Sequence, residues 1–175
     1  MLNTRIKPFK NISYYKKKFY ELKEKDLKNK WNVFFFFPYS FSFICPIELK
    51  DISKNINEFK INNTNIYAIS TDSHYTHKKW IDELKFINFP FISDFNHNIS
   101  KNFNILNKKD GNSLRATIII DPNLIIRSIE IIDINIGRSI IEIIKKIKML
   151  NFINTNENTL CSYDWNYNNI PIKIN

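Results

Sequence analysis

The sequence is poor in glycine, cysteine and arginine, with 2 Gly, 2 Cys and 4 Arg among 175 residues. Two cysteines, Cys45 and Cys161, cannot build the disulfide framework of a small secreted scaffold or a cysteine-rich metal site. No run of about 18 uninterrupted apolar residues exists, so we expect no membrane span. The first residues also lack the apolar stretch of a secretory signal. We therefore expect a cytoplasmic protein in a reducing compartment.

Arginine is scarce although the chain is basic, with 26 Lys plus Arg against 17 Asp plus Glu and a net charge of +9. Such a charge invites a nucleic-acid function. However, the sequence holds 22 Lys, 33 Ile and 26 Asn, the residues of A/T-rich codons, which indicates drift in base composition. Phosphate recognition favours the planar fork of arginine. We interpret the longest basic run, Lys16-Lys17-Lys18, as solvated surface rather than an anion site, and expect no nucleic-acid partner.

Apolar material is plentiful: 43% of residues are hydrophobic and 15% are aromatic. The length suits one compact domain, and no repeat or linker divides the chain. We therefore predict one domain over residues 1–152. The polar stretch 153–175 has no periodicity and holds Cys161, and we interpret it as a mobile C-terminal extension.

Hydrophobic periodicity predicts alternating strands and helices. The run Trp31–Phe37, stopped by Pro38, is typical of a strand buried on both faces. Further strands are predicted at 14–23 (an arm or hairpin), 65–70, 114–120 and 124–132, and helices at 46–60, 73–87 (capped by Ser73), 97–104 and 138–152. Residues 1–13 look irregular, and 88–113 is otherwise weakly patterned. The alternation predicts an α/β fold with a central mixed sheet flanked by helices.

The predicted helix 138–152 is amphipathic. Its apolar side chains at helical spacing are Ile140, Ile141, Ile144, Ile147 and Met149. We expect this face to pack on the sheet, with a membrane or partner surface as the alternative.

Cys45 lies between a predicted strand and a helix that we expect to open at Pro46. Helix N-termini present unpaired N–H groups and positive dipole ends, which favour a thiolate over a thiol. Arg115, at the start of another strand, would add positive charge if the fold brings it alongside. The hydroxyl of Ser42 could hydrogen-bond the sulfur or an oxygen ligand beside it. The alternative is that Cys45 is a small buried hydrophobe, as free cysteines often are.

Residues 35–48 read Phe-Phe-Phe-Pro-Tyr-Ser-Phe-Ser-Phe-Ile-Cys-Pro-Ile-Glu, which resembles the peroxidatic motif Pro-x-x-x-Thr/Ser-x-x-Cys of the peroxiredoxins. Other segments resemble the bacterial typical 2-Cys branch, which includes the peroxidase component of alkyl hydroperoxide reductase: NTRIKPFKN, YAISTDSHYTHKKW, LRATIIIDP, IGRSIIEIIKKIK and LCSYDW. The resemblance spans almost the whole chain, with its motifs in the same order.

The resemblance implies a thioredoxin-like (peroxiredoxin) fold and thiol-dependent reduction of hydrogen peroxide and organic hydroperoxides. By motif, the catalytic set is Cys45, Pro38, Ser42, Arg115 and Cys161, with Glu48 and Arg138 in support. Cys45 corresponds to the peroxidatic cysteine and Cys161 to the resolving cysteine, with a disulfide between them across two subunits. Two residues differ from those commonest in this branch: Ser42 stands in place of Thr, and Ser162 stands in place of Pro after the resolving cysteine.

The resemblance also implies partners. We expect a homodimer, assembled into a ring of five dimers, with no metal, flavin or haem bound by this chain. Reducing equivalents would come from NADH through a dedicated partner flavoprotein disulfide reductase, or from thioredoxin.

Other functions stay open at this point. A non-enzymatic holdase chaperone or a decayed scaffold could keep the same fold. A protein thiol-disulfide oxidoreductase is weaker because Cys-x-x-Cys is absent. His74 and His77 are spaced i, i+3, but a metal would need further ligands. No Gly-x-Ser-x-Gly elbow supports Ser40 or Ser42 as a hydrolase nucleophile.

Overall fold

The structure is a computed structural model that describes residues 1–166 and 172–173. A seven-stranded mixed sheet has the order β2-β1-β5-β4-β3-β6-β7. Its strands are β1 (Lys10–Tyr15), β2 (Lys18–Lys23), β3 (Trp31–Phe36), β4 (Thr64–Ser70), β5 (Phe91–Ser93), β6 (Arg115–Ile120) and β7 (Ile126–Ile132). The helices are α1 (Cys45–Lys54), α2 (Ile56–Ile61), α3 (His74–Leu84), α4 (Asn98–Asn102) and α5 (Ile140–Thr155), with a 3₁₀ turn at Glu24–Leu27. The predicted α/β class with a central mixed sheet is confirmed.

The centre of the sheet explains the apolar run at 31–37. All six residues of β3 are buried between parallel β4 and antiparallel β6. Phe35 and Phe37 pack on one face with Leu49 and Trp80. Phe34 and Phe36 lie in a separate cluster on the other face. Because both faces are covered, the strand is apolar at every position rather than at every second one.

Four element predictions need correction. The irregular stretch 1–13 ends in β1, which begins at Lys10. The helix expected over 46–60 is two helices that meet at Asn55, whose Nδ2 donates to the Asp51 carbonyl at 2.9 Å. Region 88–113 contains the three-residue strand β5, too short to give a periodic signal. The C-terminal stretch continues α5 to Thr155 and then forms β8 (Thr159–Leu160), paired with β9 (Ile172–Lys173).

The predicted core face of α5 is partly wrong. Ile140, Ile144 and Ile147 are buried as expected, but Ile141 is 62% exposed and Met149 is half-buried. Ile143 takes the core position instead. At about 100° per residue, Ile143 lies about 60° from Ile140 around the helix axis, whereas Ile141 lies about 100° and Met149 about 180° away, so Ile143 faces the sheet and the other two do not. The helix begins at Ile140, with Ser139 accepting from the Glu142 N–H as its N-cap.

The predicted helix cap at Ser73 is confirmed, and a second set of side-chain bonds holds the turn after β6. Ser73 caps α3 by accepting from the Thr76 N–H at 3.1 Å. Asp121 holds the turn between β6 and β7, its Oδ1 accepting from the N–H groups of Asn123 and Ile125.

Among the described residues, no helix is long and apolar enough to cross a bilayer. The division of the chain at residue 152 into a domain and an extension stays a prediction.

Candidate active site

Cys45 is the first residue of α1, one position earlier than the sequence predicted. Ile44 is the N-cap and offers no side-chain bond, and Pro46 follows within the first turn, where its missing N–H costs nothing. The thiol is 1% exposed and forms no disulfide. The sulfur therefore lies at a helix N-terminus whose positive dipole end is not satisfied by a capping side chain.

Arg115 is brought beside this sulfur by the antiparallel pairing of β3 and β6. Phe36, near the end of β3, pairs with Ala116, near the start of β6. The Nη1 atom of Arg115 lies 3.8 Å from Cys45 Sγ. Its Nε and Nη2 donate to the Ile134 carbonyl at 3.2 and 2.8 Å, which fixes the plane of the guanidinium.

Glu48 lies one helical turn after Cys45 and holds two guanidiniums. Its Oε2 pairs with Arg115 Nη1, and its Oε1 accepts from Arg138 Nε at 3.0 Å and from the Arg138 backbone N–H at 2.8 Å. All three side chains are at most 3% exposed. A buried carboxylate is thus satisfied by charged donors, as burial of a charge requires.

Arg138 anchors this cluster to the sheet. Its Nη1 donates to the Ala116 carbonyl at 2.7 Å and to Thr117 Oγ1 at 3.2 Å. Its guanidinium carbon lies 3.4 Å from the centroid of the Phe35 ring, a cation–π contact. Burial lowers the pKa of Arg138, while the Glu48 carboxylate opposes that change.

The charges in this cluster favour an anion at Cys45. Two guanidiniums face one carboxylate, so these three described side chains together carry one net positive charge. A thiolate at Cys45 would neutralise that charge, and burial of the groups strengthens the attraction. The arrangement can therefore hold a reactive sulfur anion next to N–H donors.

A small pocket of about 190 Å³ opens over the sulfur. Its lining comprises Pro38, Tyr39, Ser42, Phe43, Ile44, Cys45, Arg115 and Ile134. It is smaller than the clefts that hold drug-sized ligands, so it suits a small substrate with polar atoms at one end. Pro38 is buried, whereas Phe43 at the rim is 93% exposed.

Ser42 lies in the pocket, but its proton points elsewhere. The hydroxyl donates to the Tyr39 carbonyl at 3.0 Å. It also precedes α1 instead of lying in it. Of the two bonds that the sequence allowed, the one from Ser42 to the sulfur is not made in this structure; the Ser42 oxygen can still accept from an oxygen ligand in the pocket.

Residues 6–129 match the sequence model of the AhpC/TSA family. The chain belongs to the AhpC/TSA family. It is 36% identical to alkyl hydroperoxide reductase C of Escherichia coli strain K12 over 168 residues, covering 94% of this chain and 90% of that protein. It is 37% identical to the mitochondrial thioredoxin-dependent peroxide reductase of Drosophila melanogaster, covering 95% and 73% respectively.

Solved structures of the same family have the same fold as this chain. The crystal structure of Enterococcus faecalis AhpC matches with a TM-score of 0.89 and 32% identity, covering 92% of this chain and 98% of that one. Reduced Plasmodium vivax 2-Cys peroxiredoxin matches with a TM-score of 0.91 and 28% identity, covering 97% and 91%. The chain is a peroxiredoxin with a thioredoxin-like fold, as the sequence predicted.

Within this peroxiredoxin, Cys161 lies apart from the cluster around Cys45. Its Sγ is 4.0 Å from the Met149 carbonyl on α5. It lines a second, largely apolar cavity of about 590 Å³ with Leu150, Ile153 and Leu160. Burial raises the pKa of the Cys161 thiol. Pro38, Ser42, Cys45 and Arg115 share one pocket, with Glu48 and Arg138 behind it; Cys161 does not share it.

Other candidate residues have structural partners. His77 is buried in the core, and its Nε2 lies 2.7 Å from Ser70 Oγ. Trp80 is also buried, with its ring against Phe37 and Phe41. In the part of the chain that the structure describes, no three His, Cys, Asp or Glu side chains group as metal ligands. Sequence reasoning missed the Ile134 carbonyl, because a backbone acceptor has no residue signature.

Proposed function

We propose that this peroxiredoxin reduces hydrogen peroxide and organic hydroperoxides, with Cys45 as the peroxidatic cysteine. The observation that supports it best is the 3.8 Å separation between Cys45 Sγ and Arg115 Nη1 at the base of a small pocket. The Cys45 thiolate attacks one peroxide oxygen, and an S–O bond forms as the O–O bond breaks, so that Cys45 becomes a sulfenic acid. The departing oxygen takes a proton and leaves as water or an alcohol.

Arg115 and Ser42 orient the peroxide in this proposal. The guanidinium carries donors and a permanent charge that stabilise the negative charge growing on the leaving oxygen. Ser42 can accept a hydrogen bond from a peroxide O–H. Pro38 and the pocket walls exclude water, while Glu48 and Arg138 hold Arg115 in place.

Cys161 resolves the sulfenic acid. Its thiolate attacks the Cys45 sulfur, the S–S bond forms, and the sulfenic oxygen leaves as water after taking a proton. We propose that the disulfide joins the two protomers of a homodimer, as the resemblance to the 2-Cys branch implies; Cys161 and Cys45 of one chain lie in different cavities, which is consistent with this pairing. A ring of five such dimers is part of this proposal.

A partner dithiol then returns both thiols by exchange, taking up the two oxidising equivalents. We propose a flavoprotein disulfide reductase that draws electrons from NADH, with thioredoxin as the alternative. No cofactor is then needed on this chain. A reducing cytoplasm suits the cycle, because it keeps the two thiols free between turnovers.

The test is a reaction of reduced protein with one equivalent of hydrogen peroxide, followed by non-reducing gel electrophoresis and intact mass. We expect a disulfide-linked dimer to form rapidly in the wild type and to be absent in Cys45→Ser and in Cys161→Ser. Peroxide consumption no faster than by free cysteine would contradict the proposal and would favour a holdase on the same fold.

A further inference from the structure

The loop between β3 and α1, residues 38–43, supplies much of the pocket wall over Cys45, and we name it the pocket loop. Within the described ranges 1–166 and 172–173, one hydrogen bond joins this loop to a segment outside it. The Ser40 N–H donates to Asp72 Oδ2 at 2.8 Å. Phe41 has a φ of 59°, a backbone region that costs energy for a non-glycine residue. We call the Ser40–Asp72 hydrogen bond the tether; it and the packing of Phe41 on Trp80 hold this strained loop in place.

Asp72 follows β4 and is itself fixed on several sides. Its Oδ2 lies 2.9 Å from Ser70 Oγ, and its backbone N–H donates to the same oxygen at 3.2 Å. The Ser93 hydroxyl donates to the Asp72 carbonyl at 2.7 Å. Ser70 Oγ in turn lies 2.7 Å from Nε2 of His77, which is buried in the core. The acceptor of the tether, the Asp72 carboxylate, is therefore held in place by buried side chains of the core.

The direction of each proton in this chain follows from chemistry. A carboxylate only accepts, so Ser70 donates its one proton to Asp72. Ser70 Oγ must then accept from His77, which makes His77 the Nε2–H tautomer. His77 Nδ1 has no protein partner among the described residues, and the His77 ring contacts the rings of Phe37 and Phe91, which agrees with an unprotonated Nδ1. Burial lowers the pKa of His77 to about 4, so the ring is neutral at pH 7.

We propose that Asp72 is a positioning residue, whose carboxylate, aligned by Ser70 and His77, holds the pocket loop closed over Cys45. This inference rests on the proposed function of Cys45 and Cys161. Closure preorganises the pocket for peroxide. Disulfide formation with Cys161 requires the loop to open, because Cys45 is 1% exposed and must be uncovered before Cys161 can reach it. The tether therefore favours the first step and opposes the second.

The experiment measures both steps by rapid quench and mass spectrometry, in the full-length chain with hydrogen peroxide. In Asp72→Ala we expect the rate constant for sulfenic acid formation to fall about tenfold, in line with the loss of one hydrogen bond to a charged acceptor. The rate constant for disulfide formation should rise. In Asp72→Asn the side-chain oxygen still accepts from Ser40, so both rate constants should return close to the wild type. This rescue separates the hydrogen bond from the charge.

Asp110→Ala is the matched control, since Asp110 accepts from Asn107 in an exposed loop and does not line the pocket. We expect it to leave both rate constants unchanged. Should Asp72→Ala fail to fold by circular dichroism, Ser70→Ala weakens the same tether and should change both steps in the same directions.

Opposite changes in the two steps would support the inference, because a general loss of structure slows both. Wild-type rates in Asp72→Ala, or equal losses in both steps, would overturn it while leaving the proposed function intact. A wild type that forms no sulfenic acid would instead overturn the proposed function, and this inference with it.

Discussion

One nitrogen of Arg115 serves two buried partners: Nη1 pairs with the Glu48 carboxylate and also lies 3.8 Å from the sulfur of Cys45. The same carboxylate holds Arg138. The position of the donor next to the sulfur is therefore set by a residue one helical turn away and by a residue on the segment before α5. This coupling makes stability and reactivity depend on the same buried charges.

Glu48→Gln tests that coupling. Removing the charge takes away the carboxylate that both buried guanidiniums bind and leaves them facing the Cys45 sulfur, and breaking such a cluster costs about 3 kcal/mol or more. We expect urea unfolding to show that loss, together with slower sulfenic acid formation. The control is Glu58→Gln, which breaks a surface pair with Lys148 and should cost under about 1 kcal/mol. Equal stability of the two variants would contradict the account.

Arg115→Lys tests the geometry of the donor rather than its charge. A lysine keeps the positive charge but cannot bond the Ile134 carbonyl, Glu48 and a peroxide oxygen from one plane. We expect sulfenic acid formation to slow by about 10²–10³, the usual loss for one positioned donor. Arg127→Lys, in a half-exposed pair with Asp121, should retain the wild-type rate. A fully active Arg115→Lys would show that charge alone suffices.

The buried His77 predicts a dependence of stability on pH. Burial lowers its pKa from 6.5 to about 4, so the unfolded chain takes up a proton at a pH where the folded chain does not. Its contribution is fully present above pH 6.5 and is lost as the pH falls to about 4, with a total on the order of 3 kcal/mol.

Urea unfolding between pH 7 and pH 4 checks this in the wild type and in His77→Gln. Other groups titrate in both proteins, so the difference between the two slopes isolates His77. We expect the wild type to lose more stability on acidification than His77→Gln does. Parallel curves for the wild type and His77→Gln would refute the prediction.

Cys161 predicts a pH dependence of the resolving step. Burial raises the pKa of its thiol, and only the thiolate attacks the sulfenic acid. The rate constant for disulfide formation should therefore rise by about tenfold per unit from pH 6 to pH 8. Rapid-quench measurements on the wild type check this, and a rate constant independent of pH would show that thiol ionisation does not limit the step.

Much of the fold was predictable because its signals are local. The continuous apolar run at 31–37 marks the central strand, and Ser73 and Asp121 mark a cap and a turn by side-chain chemistry. The break at Asn55 and the short strand Phe91–Ser93 were not predictable, since both are decided by packing between distant segments.

In the site, too, some features have a local sequence signal and others depend on contacts between distant segments. The motif around Cys45 locates the sulfur, Pro38 and Ser42, but the position of Arg115 depends on strand pairing. The Ile134 carbonyl and the tether from Asp72 to Ser40 have no sequence signature, because each uses a backbone group. The motif predicts the residue type of Ser42 but not its hydrogen bond, because the hydroxyl donates to the nearby Tyr39 carbonyl.

The most direct test uses Cys161→Ser, in which no resolving thiol can remove the first product. One equivalent of hydrogen peroxide is added, and peptide mass spectrometry with rapid quenching follows the oxygen content of Cys45. We expect the Cys45 peptide to gain one oxygen atom far faster than free cysteine reacts. A Cys45 peptide that gains no oxygen, or gains it no faster than free cysteine, would show that Cys45 is not a peroxidatic cysteine.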